Sequence, residues 1–190
     1  MTREEAIEYD NALKQKLEQT ALQYYMAETT GDYLVDNFIT VVPEDARKGM
    51  IFLREDSASY KAGNVKIDLK KALVAGLEYV AAVNKPESIF NYIQIIIVSV
   101  LFVVKSVKQE IGKLEAQVVY FLHEKGAYEV GIEEEEFISA MRKWYQQRKG
   151  EILERKDIDT ALHSLYEVKI VDFDNGKIYL KEKVFCVVKD

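Results

Sequence analysis

The chain has 190 residues, enough for one large domain or two small ones with buried cores. Apolar residues make up 48% of it, which excludes a largely disordered protein. The formal net charge is −6, and residues 1–111 and 112–190 each carry 13 basic and 16 acidic side chains. Neither half is a basic domain, so any contact with phosphate must come from a local patch of cations.

A helix is predicted at the start of the chain, over residues 2 to about 27. Thr2 and Glu5 have the spacing of a capping box, and apolar residues follow at intervals of three to four. Gly31 is predicted to end this element. The narrow apolar seam favours packing on its own domain, with pairing to a second copy of the chain as the alternative. No signal peptide is recognised in the polar first residues, so we expect a cytoplasmic protein.

Residues 33–62 carry mixed signals. Residues 33–35 and 38–42 are typical of strands, and so are residues 50–53. Pro43 is typical of the first turn of a helix. The sequence therefore predicts short elements here without fixing their order.

Two helices are predicted next, the second of them over residues 87–110. Asp68 caps the first, and its small residues permit close packing against a neighbour: Ala72, Ala75, Gly76, Ala81 and Ala82. Asn84-Lys85-Pro86 is predicted to stop it. Because the connection is short, we expect the two helices to lie antiparallel.

The second of these helices has an uncharged stretch at residues 88–104. A spanning helix needs about 20 mostly apolar residues, and this stretch is shorter and contains polar side chains, so we expect no membrane span. Polar positions recur at 91, 94, 98/99, 105 and 109, which predicts a narrow solvent-facing edge on an otherwise buried helix. A long buried strand is the alternative, because β-branched residues are abundant.

From residue 112 onward the pattern changes to shorter elements. A helix is predicted to end at Lys125 and Gly126, followed by an extended piece at 128–130. Acidic residues 133–136 are predicted to begin the next helix, where the peptide dipole favours negative charge. A polar connection is predicted at 146–150.

A third helix of this region, over about 154–167, leads into a hairpin. Its inward side chains are predicted to be Ile158, Ala161, Leu162 and Leu165. The hairpin strands are predicted at 169–173 and 177–180. Asp174-Asn175-Gly176 supplies the positive φ angles of a tight reversal between them.

This order of helix, strand, helix, helix, strand, strand resembles the winged-helix branch of the helix-turn-helix superfamily over residues 112–185. No family is recognised for residues 1–111. The expected fold class is therefore mainly α (α+β), with an N-terminal helical region at 1–111 and a C-terminal winged helix with a small antiparallel hairpin at 112–190.

The resemblance implies that the helix at 154–167 is the recognition helix and that the hairpin is the wing. The side chains that it would present to nucleic acid are Lys156, Asp159, Thr160, His163, Ser164 and Glu167 on the helix, and Asn175 and Lys177 on the wing. A cluster of cations before and at the start of that helix is the better candidate for phosphate contacts: Arg142, Lys143, Arg148, Lys149, Arg155 and Lys156.

No pattern of catalytic or metal-ligating residues is present in the sequence. The two histidines, His123 and His163, and the single cysteine, Cys186, have no zinc-like spacing, and no phosphate-binding glycine loop or nucleophile motif occurs. Cys186 lies in an apolar run and is predicted to be a buried, inert thiol. His123 is predicted to have a capping or exposed role. We therefore expect no enzyme and no cofactor.

The predicted function is that of a non-enzymatic DNA-binding regulatory or accessory protein, in the manner of a small transcriptional regulator. The expected partner is duplex DNA, with a homodimer formed through the N-terminal helices at 2–27 or 88–110. The alternative is a protein–protein interaction module, in which an acidic winged helix docks a partner protein without nucleic acid. A third interpretation is an effector sensor with a small apolar ligand between the N-terminal helices.

Overall fold

The computed structural model describes residues 2–43, 65–83, 88–104 and 111–186. Of these residues, 67% are helical, so the fold is mainly α with small antiparallel sheets, as the sequence predicts. The helices of the described ranges are α1 (Arg3–Gln23), α2 (Thr29–Phe38), α3 (Leu69–Val83), α4 (Ser88–Val103), α5 (Lys113–Glu124), α6 (Glu134–Lys149) and α7 (Arg155–Glu167). The strands are β1 (Ile39–Val41), β2 (Val65–Ile67), β3 (Ile132–Glu133), β4 (Val171–Asp174), β5 (Lys177–Leu180) and β6 (Val184–Cys186).

Helix α1 begins at the predicted capping box but ends earlier than predicted. The Thr2 hydroxyl accepts a hydrogen bond from the Glu5 amide, and the Glu5 carboxylate accepts one from the Thr2 amide. The helix ends at Gln23, because Tyr25 takes a left-handed conformation with φ of 58°. The prediction that Gly31 ends this element was wrong.

Gly31 lies inside α2, where it allows α2 to approach α1. A Cβ atom at this position would stand 2.6 Å from the backbone nitrogen of Glu18 and 2.8 Å from the carbonyl carbon of Leu17. Gly31 therefore allows two helices to lie in close contact. From the sequence alone, a glycine in this role cannot be distinguished from one that ends a helix.

The predicted strand at 33–35 is also wrong, because these residues belong to α2. Residues 39–41 do form a strand, within the predicted 38–42. Pro43 ends the described range at this point, and the predicted strand at 50–53 lies outside the described residues, as does the predicted helix stop at 84–86.

Helix α3 begins directly after Asp68, as predicted, and the Asp68 carboxylate accepts a hydrogen bond from the Lys71 amide at 3.4 Å. It packs against α4 at Gly76. A Cβ atom at Gly76 would stand 2.3 Å from two ring carbons of Tyr92. The small residues of α3 thus permit the close packing that the sequence predicts.

Helix α4 is buried on nearly all sides, and α1, α3 and α5 pack around it. Residues 105–110, the remainder of the predicted helix, lie outside the described ranges. None of the described helices has the combination of length and apolar character that a membrane span requires.

The predicted solvent-facing edge of α4 is wrong at three positions, because Gln94, Val98 and Ser99 are all buried. The polar side chains find partners inside the protein instead. The Gln94 amide donates to the Ile111 carbonyl at 2.7 Å, and the Ser99 hydroxyl donates to the Ile96 carbonyl at 2.6 Å. The polar groups of Gln94 and Ser99 are therefore satisfied without contact with solvent.

The strands of the described ranges form two three-stranded antiparallel sheets, in the orders β1-β2-β6 and β3-β5-β4. In the first sheet, Cys186 of β6 lies opposite Val65 of β2, so a strand from residues 112–190 joins two strands from residues 1–111. Cys186 is buried, as predicted. The sequence contains no turn signal that predicts this long-range pairing.

The second sheet contains the predicted hairpin. Asp174 of β4 lies opposite Lys177 of β5, and the two-residue loop between them has positive φ at both Asn175 (48°) and Gly176 (76°). This is the geometry that favours Asn-Gly in a tight hairpin. The third strand of this sheet is Ile132–Glu133, so the prediction of an extended piece at 128–130 was wrong by several residues.

The helices of residues 112–186 agree with the predicted positions except at the end of α6. Helix α6 continues to Lys149, so residues 146–149 are helical and not a polar connection. Its first turn contains the predicted acidic residues. The four side chains of α7 that were predicted to point inward are buried: Ile158, Ala161, Leu162 and Leu165.

Aromatic side chains join the two parts of the chain. Phe90 of α4 contacts Tyr120 of α5, with ring centroids 5.5 Å apart, and Trp144 of α6, at 6.2 Å. Phe121 contacts Phe137 at 5.7 Å in the same region. These rings form part of the core, which fixes α6 relative to the N-terminal helices.

Candidate nucleic-acid interface

A cleft of about 370 Å³ lies between α6 and the beginning of α7. Three of the predicted phosphate-binding cations line it, namely Arg142 and Lys143 from α6 and Arg155 from α7. We call this site the basic cleft. The buried Leu153 lies behind it, and its carbonyl accepts a hydrogen bond from the Arg142 Nε at 3.0 Å. That bond positions Arg142 at the cleft.

The cations of α6 do not all lie on one face. At 100° per residue, Arg142, Lys143 and Lys149 fall within about 120° of one another around the helix axis. Arg148 lies on the other side, where its guanidinium stacks over the Trp144 ring at 4.9 Å. The structure therefore brings Lys149 towards the face of the basic cleft and turns Arg148 away from it.

Arg155 is held by acidic side chains. Its guanidinium donates two hydrogen bonds to the Glu135 carboxylate, at 3.0 and 2.7 Å, and lies 3.5 Å from Glu134 and 3.6 Å from Asp159. The hydrogen bonds from Arg155 lower the pKa of Glu135 below its ordinary value, so the pair stays ionised. The positive charge of Arg155 is thus largely neutralised within the protein.

Lys143, Lys149 and Lys156 are exposed and have no acidic partner among the residues that the structure describes. Residues 142–156 contain six basic and two acidic side chains in a protein with a formal net charge of −6. This segment therefore carries a local excess of cations, although Glu134, Glu135 and Asp159 lie beside Arg155 at one end of it.

The outward face of α7 carries Lys156, Thr160 and His163, which are exposed as predicted. The Thr160 hydroxyl donates to the Lys156 carbonyl at 2.8 Å, and the His163 ring lies 3.4 Å from the Glu167 carboxylate. Ser164 is buried, so the prediction that it faces outward was wrong. It shares the inner side of the helix with Leu165.

The predicted wing residues, Asn175 and Lys177, lie beside the first turn of α6. The Gly176 carbonyl accepts a hydrogen bond from the Glu134 amide at 3.0 Å, so the hairpin tip abuts the first turn of α6. Lys177 lies 3.7 Å from Glu133, and the Asn175 amide donates to Asp174 at 3.1 Å. Since α6 has 16 residues and is about 24 Å long, Asn175 and Lys177 lie at the opposite end of this helix from Lys149.

Comparisons with protein-family models, with curated proteins and with solved structures gave no match to this chain.

The two histidines and the cysteine are not grouped. His123 is half-buried and hydrogen-bonds to the Tyr128 hydroxyl, so the prediction of a capping or exposed role was wrong. Burial lowers its pKa, with Lys70 adding to the effect. Within the described ranges, no cluster of histidine, cysteine or acidic side chains has the arrangement of a metal site.

Sequence reasoning missed Glu135 as a member of this site. The acidic run at 133–136 is explained by the start of a helix, and it does perform that role in α6. The second role of Glu135 depends on Arg155, which is 20 residues away along the chain. Nothing local in the sequence indicates which of the four acids lies beside this arginine.

Proposed function

We propose that the C-terminal part of the chain is a winged-helix unit that binds nucleic acid through the phosphate backbone, as part of a non-enzymatic DNA-binding regulatory or accessory protein. The observation that carries the proposal is the basic cleft, where Arg142 and Lys143 meet the start of α7, with Lys149 on the same helix face. The order α5, β3, α6, α7, β4, β5 supports the winged-helix interpretation.

The geometry favours backbone contacts over base readout. Base edges are read mainly by Arg, Lys, Asn and Gln side chains with free donors. On α7, Arg155 is engaged by Glu135, and His163 lies beside Glu167. The lysines of α6 have no such partners among the described residues. Binding would therefore depend strongly on salt and weakly on sequence.

The experiment is a salt titration of binding to a fluorescein-labelled DNA duplex, followed by fluorescence anisotropy. For about four phosphate contacts, log affinity should fall against log salt with a slope of about −3.6. The double variant Lys143→Glu/Lys149→Glu should bind more weakly and flatten the slope by about 1.8, because each lost phosphate contact removes about 0.9.

A matched control changes the net charge equally at sites that do not line the cleft. Arg3 is in the first turn of α1, and Lys183 precedes β6. The double variant Arg3→Glu/Lys183→Glu should retain most of the wild-type slope. An undetectable anisotropy change at low ionic strength would reject the proposal, as would equal losses for the two double variants.

A protein-interaction module is the second candidate, and one observation favours it. Tyr166 of α7 and Phe173 of β4 are exposed, 47% and 39%, and their rings contact each other with centroids 5.6 Å apart. Exposed paired aromatics are typical of docking surfaces. The partner to test first is a second copy of the chain.

Self-association distinguishes the two candidates. The double variant Tyr166→Ser/Phe173→Ser should dissociate a dimer in sedimentation-velocity measurements and leave DNA affinity unchanged if this pair forms an interface between copies. A wild-type chain that remains monomeric across the concentration range would exclude this form of the second candidate. A dimer that persists in the variant would point instead to the N-terminal helices predicted from the sequence.

A further inference from the structure

A second cleft, of about 430 Å³, lies between α2, α3 and α4 and is distinct from the basic cleft. We call it the tyrosine cleft, because Tyr33, Tyr79 and Tyr92 line it, one from each helix. Its volume is within the range of small-molecule sites, about 300–1,000 Å³. On α3, Ala75 and Tyr79 are four residues apart and face the cleft together, while the small alanine leaves the space open.

Tyr92 is a buried residue that lines this cleft, and its hydroxyl is unpaired among the described residues. The residue is only 1% exposed, and its hydroxyl has no hydrogen-bond partner among the residues that the structure describes. The hydroxyl oxygen itself has less than 1 Å² of accessible surface, so Tyr92 lines the cleft with its ring. Burial raises the pKa of Tyr92, so the group remains a protonated donor.

Glu78 adds a negative charge to the cleft. Its side chain lines the site one residue before Tyr79 and has no cationic partner within the described residues. The two lysines of the adjoining groove are engaged elsewhere, since Lys70 pairs with Glu182 and Lys71 lies 3.6 Å from Asp68. The carboxylate of Glu78 is therefore available to a ligand.

Aromatic rings beside a carboxylate are suited to an organic cation. The faces of tyrosine rings attract a positive charge within about 6 Å, and sites built from several rings are used for quaternary and alkylated ammonium groups. A metal ion is a poor fit to this lining, which offers one carboxylate and mostly rings and methyl groups.

We propose that the tyrosine cleft binds a small organic cation of the alkylated-ammonium class. The ammonium group lies against Tyr33 and Tyr79 beside Glu78, and the ring of Tyr92 lines the buried side of the site. This site is independent of nucleic-acid binding, and its failure or success leaves the function proposed for the basic cleft unchanged.

The test compares two ligands of nearly the same shape. Choline carries a quaternary ammonium and a hydroxyl, and 3,3-dimethylbutan-1-ol replaces its nitrogen by carbon and has no charge. Isothermal titration calorimetry of the full chain should give saturable binding of choline, with the neutral isostere weaker by roughly tenfold. Benzyltrimethylammonium is a larger probe that fills more of the cleft, and it should bind more tightly than choline.

Three variants locate the site. Glu78→Gln should weaken choline binding by about two- to fivefold and leave binding of the neutral isostere unchanged, since only the charged ligand uses the carboxylate. Tyr92→Phe keeps the ring that lines the cleft and removes only the enclosed hydroxyl, so it should bind both ligands as the wild type does. Glu151→Gln, in the connection between α6 and α7, is the matched control and should bind as the wild type does.

Far-ultraviolet circular dichroism and thermal melting would confirm that each variant is folded. Equal affinity for choline and its isostere would overturn the proposal. So would unchanged choline affinity in Glu78→Gln, or the absence of saturable binding for both cationic probes.

Discussion

The ring of Tyr92 occupies the space that a side chain at Gly76 would need. A Cβ atom on Gly76 would stand 2.3 Å from the ring carbons Cδ1 and Cε1, a distance that real contacts do not show. Tyr92 is buried and packed, so it cannot move aside easily. The close packing of α3 against α4 therefore requires a glycine at position 76.

Gly76→Ala should destabilise the protein. Alanine favours a helix by about 1 kcal/mol over glycine, but overpacking a core costs about 1–3 kcal/mol. We expect a net loss in the free energy of urea unfolding of about 1 kcal/mol. In the Tyr92→Leu background, where the ring is absent, the same change should be neutral or stabilising. A stabilising effect in the wild-type background would show that the two helices are less closely packed than described.

Leu162→Ala should lower the free energy of unfolding by about 2–5 kcal/mol, because Leu162 is 2% exposed and its removal leaves a cavity. Thr160→Ala on the outward face of the same helix should change it by about 0.5 kcal/mol or less. Urea unfolding followed by circular dichroism measures both. If both variants changed the free energy of unfolding by similarly small amounts, the face of α7 that carries Leu162 would not be buried.

Cys186 should react slowly with thiol reagents in the folded protein. It is 5% exposed, and burial raises the pKa of its thiol, so less of the reactive thiolate is present. Labelling should be slower than in the urea-unfolded chain, because burial of the thiol and its smaller thiolate population both limit the reaction.

The same thiol reports on the pairing of β6 with β2. Lys66→Pro would remove a backbone donor from β2, the central strand of its sheet, and should therefore accelerate labelling of Cys186. Equal labelling rates in the folded and unfolded wild-type chain would contradict the described position of β6.

His123 should make stability depend on pH below neutrality. Burial, and to a smaller extent Lys70, lowers its pKa in the folded protein from the ordinary value of about 6.5. As the pH falls through 6.5, the unfolded chain takes up a proton that the folded protein does not, so the free energy of unfolding decreases. Above this pH the contribution is fully present.

Urea unfolding at pH 7.5 and 5.5 would measure this effect. The decrease in stability between the two should be smaller in His123→Gln than in the wild type, because the variant lacks the titrating ring. His163→Gln retains His123 and should keep the wild-type decrease. If the free energy of unfolding decreased by the same amount in His123→Gln as in the wild type, groups other than His123 would account for the pH dependence.

Three local signals in the sequence predicted local structure correctly. The capping box of Thr2 and Glu5, the inward face of α7 and the hairpin at Asn175 and Gly176 each depend on residues within a few positions of one another. These features could be predicted because the chemistry that fixes them does not require knowledge of the rest of the fold.

Features that depend on distant residues were missed or misassigned. Gly31 was predicted as a helix stop, but it is required by contact with α1. Gln94 and Ser99 were predicted to face solvent, but backbone carbonyls satisfy them in the core. Three of the cations that were predicted to contact phosphate line the basic cleft, namely Arg142, Lys143 and Arg155, whereas the neutralisation of Arg155 by Glu135 was not foreseen.

The return of β6 to the sheet of β1 and β2 has a consequence for how the chain acquires its structure during synthesis. Val65 and Ile67 leave the ribosome more than a hundred residues before Val184 and Cys186, their neighbours in the sheet. Until those residues emerge, one edge of β2 has free amide and carbonyl groups. A nascent chain would therefore hold an open strand edge through most of its translation, and a fragment ending near residue 111 would retain that open edge.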